Sequence, residues 1–229
     1  AIPTYYVSKL TREHVTVALN GDGGDESFAG YERYIADKLA GYYEKIPFFL
    51  REKFIKKSLS LLPHQENRRS FLRRLKRFVQ GIADKAERRY VRWVCAFDNE
   101  MKQDLYTPAF SESMASIDSV VLVVNRYAQS DASNFLDKTL FVDVMSYLPD
   151  DLLVKVDIAS MANSLEARSP FLDHKLMEFA ASLPPELKLK GLQSKYLLKR
   201  AFSPLMPREI LNRNKMGVGK SMQPERPMQ

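Results

Sequence analysis

The chain has 229 residues, of which 45% are hydrophobic and 28% are charged, values that are ordinary for a globular protein. A single cysteine excludes an internal disulfide framework and fits a reducing compartment, so we expect a cytoplasmic protein. No apolar run approaches the roughly 20 residues of a membrane-spanning helix, and the net charge of +7 leaves enzymes and nucleic-acid binders open.

The first predicted elements are a helix, a strand and a second helix. Residues Pro3 to Glu13 should form a short helix, because proline is tolerated in a first helical turn. Val15 to Asn20 are β-branched and aliphatic, which predicts a short buried strand. Apolar residues then recur at helical spacing, so a helix should run from Glu26 to about Ala40 and end at Gly41.

The segment between this strand and the second helix has the features of a phosphate-binding turn. Its glycines, Gly21, Gly23 and Gly24, can take positive φ without steric cost and let a ligand approach the backbone. A strand, a glycine turn and a helix N-terminus together form a cradle for phosphate, because the N-terminal N–H groups of a helix have no partner within it.

The same turn carries three carboxylates, Asp22, Asp25 and Glu26. Acid oxygens beside a phosphate cradle are suited to hold Mg²⁺ between protein and phosphate. An acidic surface turn between strand and helix is the alternative interpretation of this segment alone.

The middle of the chain is predicted to be helical. A helix should lie between Pro47 and Pro63, and Asn67 to Gln80 form an amphipathic helix with a crowded basic face. We favour a solvated surface over nucleic-acid binding for that face, because no aromatic–basic interleaving or nucleic-acid motif accompanies it. A docking surface for an acidic partner or a nucleic acid is the alternative. Three further helices are predicted over Glu87 to Phe97, Ile117 to Ala128, and Leu136 to Tyr147, the last stopped by Pro149.

The last third contains an acid–base pair and a lysine that could carry chemistry. Glu166 and Arg168 are two residues apart, so in an extended segment their side chains project to the same face. They form either a structural ion pair or a substrate-binding site, in which the arginine holds a carboxylate or phosphate. Lys195 is predicted to start a helix, where it is either placed to stabilise negative charge on a ligand or a surface lysine. Asp173 is predicted to cap a helix.

Three ordered blocks of the sequence resemble the asparagine synthetase (glutamine-hydrolysing) family. They are Asn20-Gly-Asp-Gly-Gly-Asp-Glu26 with Phe28-Ala-Gly-Tyr31, then Tyr147-Leu-Pro-Asp-Asp-Leu-Leu-Val-Lys-Val-Asp157 with Arg168-Ser-Pro-Phe-Leu-Asp173, then Leu183-Pro-Pro-Glu-Leu-Lys188 with Lys195-Tyr-Leu-Leu-Lys-Arg200. Asn20 stands where serine is common in the family, and both side chains can form hydrogen bonds.

The resemblance implies an α/β fold that is predominantly helical. It is an adenine nucleotide α-hydrolase-like (ATP pyrophosphatase) domain that lacks its N-terminal strands. We expect a single, partial domain over residues 1–229, with a disordered or truncated end over about 217–229. The family's Ser-Gly-Gly-x-Asp-Ser phosphate loop and its glutaminase domain would precede Ala1, so we expect a fragment that is inactive alone.

The activity implied is ATP-dependent amide formation, as in asparagine synthase (glutamine-hydrolysing). Aspartate is adenylated by MgATP and then attacked by ammonia, which the absent glutaminase domain makes from glutamine, to give asparagine, AMP and pyrophosphate. A homodimer of the full-length protein stays open. A related amidotransferase with another acid acceptor and a non-catalytic binding domain are the alternatives.

The resemblance also implies roles for individual residues. Asp22 positions the reacting carboxylate or its adenylate, and Lys195 neutralises the phosphates or the intermediate. Asp25 ligates Mg²⁺, and Glu26 supports that site. The residues expected to bind ATP are Asn20, Gly21, Gly23 and Gly24.

Overall fold

A computed structural model describes residues 1–47, 85–95, 97 and 99–211. The described residues form two compact units, the first from residues 1–30 and 140–211 and the second from residues within 31–139. Three predictions lie outside the described residues: the helix between Pro47 and Pro63, the basic helix Asn67 to Gln80, and the disordered end over 217–229. No helix in the described part of the chain is long and apolar enough to cross a lipid bilayer.

The described residues are mostly helical and contain few strands. The strands are β1 (Val17–Leu19), β2 (Glu166–Arg168), β3 (Leu189–Lys190) and β4 (Gln193–Ser194). The α-helices, in chain order, are α1 (Ile2–Arg12), α2 (Gly24–Ser27), α3 (Glu32–Glu44), α4 (Ala86–Val94), α5 (Asn99–Leu105), α6 (Pro108–Met114), α7 (Ser119–Gln129), α8 (Phe135–Met145), α9 (Val154–Met161), α10 (His174–Ser182), α11 (Pro185–Lys188), α12 (Tyr196–Phe202) and α13 (Arg208–Leu211).

The first unit contains a parallel pair of strands. β1 pairs with β2 so that Leu19 lies opposite Arg168, and α9 packs against both β2 and α1. The predicted strand is confirmed, but its predicted burial is wrong: Val17 is 39% exposed and Leu19 is 73% exposed. Side chains alternate between the two faces of a strand, so Val17 and Leu19 share one face of this two-stranded sheet. Among the described residues, that face is not fully covered.

The single helix predicted from Glu26 to about Ala40 is wrong, because the chain turns between α2 and α3. Ala29 has a φ of +53°, a left-handed conformation that no right-handed helix contains. The Gly30 N–H donates to the carbonyl oxygen of Asp25 at 2.8 Å and closes the turn. Gly41 lies inside α3 and does not cap it.

The other helices predicted in the described residues are confirmed with shifted ends. The segments predicted over Pro3 to Glu13, Glu87 to Phe97 and Ile117 to Ala128 correspond to α1, α4 and α7. Asp173 caps α10, since its carboxylate accepts from two backbone N–H groups. Pro149 does not stop the helical path after α8, because it takes a first-turn position of a π-helical turn over Leu148–Leu153.

Aromatic rings form the core of the second unit. The rings of Tyr34 and Tyr90 stack at 6.4 Å, and Tyr127 meets Tyr90 edge to face at 6.3 Å. Phe135 stacks on Tyr127 at 5.5 Å, so four rings form a continuous chain. Such pairs add to the stability from burial alone, which ties α3, α4 and α7 together.

A buried arginine lies beside this aromatic core. Arg89 is 2% exposed and donates to Asp37 at 2.9 Å and also to Glu44. Burial raises the pKa of Asp37 above its usual value, and the charge of Arg89 opposes that rise. The carboxylate of Asp37 therefore depends on Arg89 for its charge compensation.

We expect Arg89→Met to destabilise the second unit by roughly 3 kcal/mol, because it leaves the carboxylate of Asp37, which is only 12% exposed, without its cation. Trp93 is the one tryptophan of the chain and lies in α4, so its fluorescence during urea unfolding reports on this unit. Arg88→Met is the control, because the exposed pair of Arg88 with Asp118 is worth less than about 1 kcal/mol. Equal loss of stability in both variants would contradict this role of Arg89.

Candidate functional site

The loop after β1 is held in place by Asn20. Its N–H donates to the carbonyl oxygen of Arg168 at 2.8 Å, which prolongs the pairing of β1 with β2. Its side-chain oxygen accepts from the Asp22 N–H at 3.3 Å and from the hydroxyl of Ser169. The carboxamide oxygen of Asn20 therefore supports the loop, and a contact with ATP stays a prediction.

The three glycines of the loop have different surroundings. Gly23 has a φ of +86°, and a Cβ there would overlap the side chain of Leu172. A Cβ on Gly24 would lie 3.3 Å from the ring of Phe171, which is close packing. Gly21 is exposed, with no atom within 4 Å of a built Cβ, so it is the glycine with open space for a ligand. ATP binding by all three stays a prediction.

Asp22 is a half-buried carboxylate. Burial raises its pKa, the charge of Lys155 lowers it, and the charge of Asp25 raises it again. Its Oδ2 atom is shielded from solvent and has no hydrogen-bond partner in the protein. Because buried polar atoms are nearly always satisfied, this oxygen is suited to a donor or a cation that a ligand supplies.

Asp25 and Lys195 form an ion pair between distant parts of the sequence. Oδ1 of Asp25 lies 2.7 Å from Nζ of Lys195, and the two side chains are 19% and 27% exposed. Lys195 precedes α12, as predicted, and has a φ of +53°, a conformation that is costly for a lysine. Its N–H donates to the carbonyl oxygen of Phe28 at 3.1 Å, which fixes the backbone beside the loop.

Gly30 makes room for this ion pair and was not singled out from the sequence. A Cβ at Gly30 would overlap both the carboxylate of Asp25 and the Cε atom of Lys195. The sequence shows Gly30 within the Phe28-Ala-Gly-Tyr31 block. It does not show why a glycine is needed there, because Lys195 is 165 residues away along the chain. The missing side chain of Gly30 is thus a structural requirement of the site.

Lys155 is a second cation of the site, and the sequence alone indicated no role for it. It lies in the first turn of α9, is half-buried, and is close enough to Asp22 to lower the pKa of that carboxyl. Two carboxylates, Asp22 and Asp25, and two lysines, Lys155 and Lys195, therefore interact at this loop. This combination suits an anionic ligand that brings a cation with it.

The remaining predicted site residues are Glu26, Glu166 and Arg168. Glu26 is 1% exposed, so a direct contact of its carboxylate with a metal stays a prediction. Glu166 and Arg168 project to one face of β2, as predicted, and form an ion pair at 2.7 Å. Both are exposed, and such a pair is worth about 0–1 kcal/mol, so a ligand can take either partner. Substrate binding by them stays a prediction.

An open groove of about 570 Å³ lies where the parallel strands end. Asn20 and Ser169, which directly follow β1 and β2, are among its lining residues. Ligands of open α/β sheets bind outside the carboxyl ends of the strands, and this volume lies in the range of small-molecule sites. The other lining residues are Pro149, Leu153, Val154, Val156, Asp157, Ser160, Met161, Glu166, Ala167 and Leu172.

The carboxylates of the loop fit a magnesium ion that arrives with phosphate. No three His, Cys, Asp or Glu side chains cluster as a metal cage in residues 1–47, 85–95, 97 and 99–211. Mg²⁺ needs no such cage, because it is usually held by one or two carboxylates together with substrate phosphates and water. Asp22 has an unpartnered buried oxygen, and Asp25 is close enough to raise the pKa of Asp22. These two are therefore the oxygen donors that fit the ion.

The glycine turn, the parallel strands and the paired charges define a candidate nucleotide-binding α/β domain. The family model described as asparagine synthase matches residues 1–228. The chain therefore belongs to the asparagine synthase family. No solved structure matches the chain.

Similar curated proteins include synthetases and amidases. Asparagine synthetase [glutamine-hydrolyzing] 1 of Bacillus subtilis is 34% identical over 95% of this chain and 32% of its own length. A putative asparagine synthetase [glutamine-hydrolyzing] of Mycobacterium tuberculosis is 32% identical over 94% of this chain and 31% of its own length. Amidase chyE of Penicillium rubens is 26% identical over 88% of this chain and 31% of its own length. The chain thus spans about a third of the length of these relatives.

We expect Gly30→Ala to lower the free energy of unfolding by roughly 1–3 kcal/mol, because the added methyl overlaps the Asp25–Lys195 pair. Gly21→Ala is the matched control, since a Cβ there meets no atom within 4 Å. Urea unfolding followed by circular dichroism measures both variants. If the two substitutions cost the same, steric protection of the ion pair by Gly30 is wrong.

We expect Asp22→Asn to stabilise the protein at neutral pH, since it removes a charge whose pKa is raised by burial. The folded protein binds the Asp22 proton more tightly than the unfolded chain, so this carboxyl contributes less stability as pH rises through the window above 3.8. The gain in the variant should therefore shrink as the pH falls towards 3.8.

Asp118→Asn is the opposite control for that titration. A hydrogen bond from Arg88 lowers the pKa of Asp118, so its ionised form favours folding above pH 3.8. Thermal unfolding across a pH series measures both variants. A loss of stability in Asp22→Asn at neutral pH would contradict the burial cost of that carboxylate.

Proposed function

We propose that this chain carries the amide-forming site of an asparagine synthase (glutamine-hydrolysing). The observation that carries the proposal is the meeting of Asp25 and Lys195 beside Gly30, in a chain that matches the asparagine synthase family over residues 1–228. The two curated synthetases described above are named for this activity. Because the chain spans about a third of their length, the activity is proposed for the whole protein.

The proposed reaction couples an amide bond to the cleavage of ATP. An oxygen of the aspartate side-chain carboxylate attacks the α-phosphorus of ATP, and the bond to pyrophosphate breaks. Ammonia, made from glutamine elsewhere in the whole protein, then attacks the acyl carbon. The bond to AMP breaks, ammonia loses a proton, and asparagine is released. Adenylation supplies the leaving group that a free carboxylate lacks.

Lys195 is proposed to stabilise the negative charge that develops on the leaving pyrophosphate. Its ammonium is already beside the loop, and its backbone is fixed by the hydrogen bond to Phe28. A lysine whose backbone is held beside the loop can bring its ammonium to the developing phosphate charge, and such electrostatic stabilisation is the largest single contribution in many enzymes. Lys155 adds a second positive charge on the side of Asp22.

Asp22 and Asp25 are proposed to hold Mg²⁺ together with the triphosphate, and Asp22 also faces the reacting carboxylate or its adenylate. When bound, the ion neutralises phosphate charge. Glu26, which is buried next to Asp25 in the chain, is proposed to support the ligand geometry from within the protein.

The nucleotide is proposed to contact the loop at Asn20 and at Gly21, and Gly21 is exposed with open space around it. Gly23 and Gly24 then shape the turn through their packing on the segment Phe171–Leu172. Arg168 is proposed to leave its exposed pair with Glu166 and hold a carboxylate of the acceptor with its planar fork.

A second function is a related amide-forming reaction on another acid acceptor. Amidase chyE of Penicillium rubens and amidase chry2 of Gibberella zeae, at 26% and 21% identity, are named for amide chemistry without mention of aspartate, so relatives of this chain are not all named for asparagine formation. The two functions share the nucleotide chemistry and differ in the acceptor. Pyrophosphate release from ATP, measured with aspartate and then with a panel of other carboxylic acids, separates them.

We expect Asp25→Asn in the full-length protein to abolish ATP-dependent asparagine formation and to leave glutamine hydrolysis largely intact. The reason is that a hard cation prefers charged oxygen ligands, and an amide weakens the ligation. Asp104→Asn is the control, because Asp104 is exposed in the second unit. Normal asparagine formation by Asp25→Asn, measured by amino-acid analysis, would remove this residue from the metal site.

A further inference from the structure

The carboxylate of Asp25 is both a proposed ligand of Mg²⁺ and the partner of Lys195 in an ion pair. Oδ1 of Asp25, a proposed ligand of Mg²⁺, lies 2.7 Å from an ammonium in the structure. Mg²⁺ requires ligand oxygens at about 2.0–2.1 Å in nearly octahedral geometry. An ammonium bound to the same oxygen occupies space and a lone-pair direction that the ion needs. The two cations also repel one another at such separations.

The surroundings of the pair limit how it can rearrange. The carboxylate and the Cε atom both lie where a Cβ of Gly30 would be, so the pair is pressed against the backbone on that side. The backbone of Lys195 is held by its hydrogen bond to Phe28. The side chain of Lys195 can move away from Asp25 while its backbone stays in place, because its four methylene groups give the ammonium that freedom.

We propose that the ammonium of Lys195 and a divalent cation compete for the carboxylate of Asp25, and that cation binding and lysine release are one exchange. This inference rests on the proposed function. When Mg²⁺ binds Asp25, the ammonium leaves the carboxylate and remains tethered at the start of α12. It then pairs with the phosphate groups of the nucleotide.

The exchange makes the binding of cation and nucleotide cooperative. A cation alone must displace Lys195 and leaves the ammonium without its partner, so it binds weakly. A nucleotide offers phosphates to the displaced ammonium and removes that cost. By linkage, the cation must then strengthen nucleotide binding by the same factor as the nucleotide strengthens cation binding. Lys195 thereby keeps the site from holding a divalent ion before the substrate arrives.

The first test measures Mn²⁺ binding to the full-length protein without nucleotide, by electron paramagnetic resonance of the free ion. Lys195→Met should bind Mn²⁺ roughly fivefold more tightly than the unaltered protein, because the competing ammonium is gone. Lys199→Met is the matched control, with the same charge change one turn further along α12, and should differ little from the unaltered protein. Equal or weaker Mn²⁺ binding by Lys195→Met would overturn the exchange.

A second measurement needs no substitution and guards against a variant that folds poorly. Acetylation of individual lysines by acetic anhydride is followed by mass spectrometry of the unaltered full-length protein. Saturating Mn²⁺ should accelerate the modification of Lys195, because its ammonium has left the carboxylate, and should leave Lys199 unchanged. An unchanged rate at Lys195 would overturn the exchange.

The outcomes separate this inference from the proposed function. If the protein forms asparagine with MgATP but Lys195→Met gains no affinity for Mn²⁺, the exchange is wrong and the proposed function stands. If neither Mn²⁺ nor its ATP complex binds the unaltered protein, both are wrong. Tighter Mn²⁺ binding by Lys195→Met, together with faster acetylation of Lys195 in the unaltered protein, supports the exchange.

Discussion

The ion pair between Asp25 and Lys195 is the interaction on which the candidate site depends. It joins the glycine-rich loop near the start of the chain to the helix α12 near the end of the described residues. Gly30 must lack a side chain for the pair to form, and the backbone of Phe28 must accept the N–H of Lys195. The loop at Asp25, the turn at Gly30 and Lys195 therefore depend on one another, so we expect a substitution at one of them to alter the contacts of the others.

Contacts with β2 and with the segment after it hold the glycine-rich loop in place. Asn20 binds the loop to the end of β2, and the segment Phe171–Leu172 fills the space that side chains on Gly23 and Gly24 would need. Lys155 in α9 is close enough to Asp22 to lower the pKa of that carboxyl. The result is a loop that is packed at Gly23 and Gly24 and has open space at Gly21, where we propose that the nucleotide binds.

Sequence reasoning identified what depends on local pattern. The helices α1, α4 and α7, the cap at Asp173 and the residues of the glycine-rich loop follow from periodicity, capping and composition over a few neighbouring positions. The break at Ala29 was missed because a left-handed alanine has no compositional signal, and the tertiary structure imposes it. Gly30 and Lys155 acquire their roles from residues far away along the chain, so spacing alone did not reveal them.

A double-mutant cycle on Asp25 and Lys195 tests the central claim most directly. The free energy of unfolding is measured without ligand for the unaltered protein, Asp25→Asn, Lys195→Met and the double variant. We expect the two substitutions to be non-additive by about 1 kcal/mol or more, because each removes the same partly buried ion pair. Additivity within roughly 0.3–0.5 kcal/mol would show that the two residues act independently and would contradict the account.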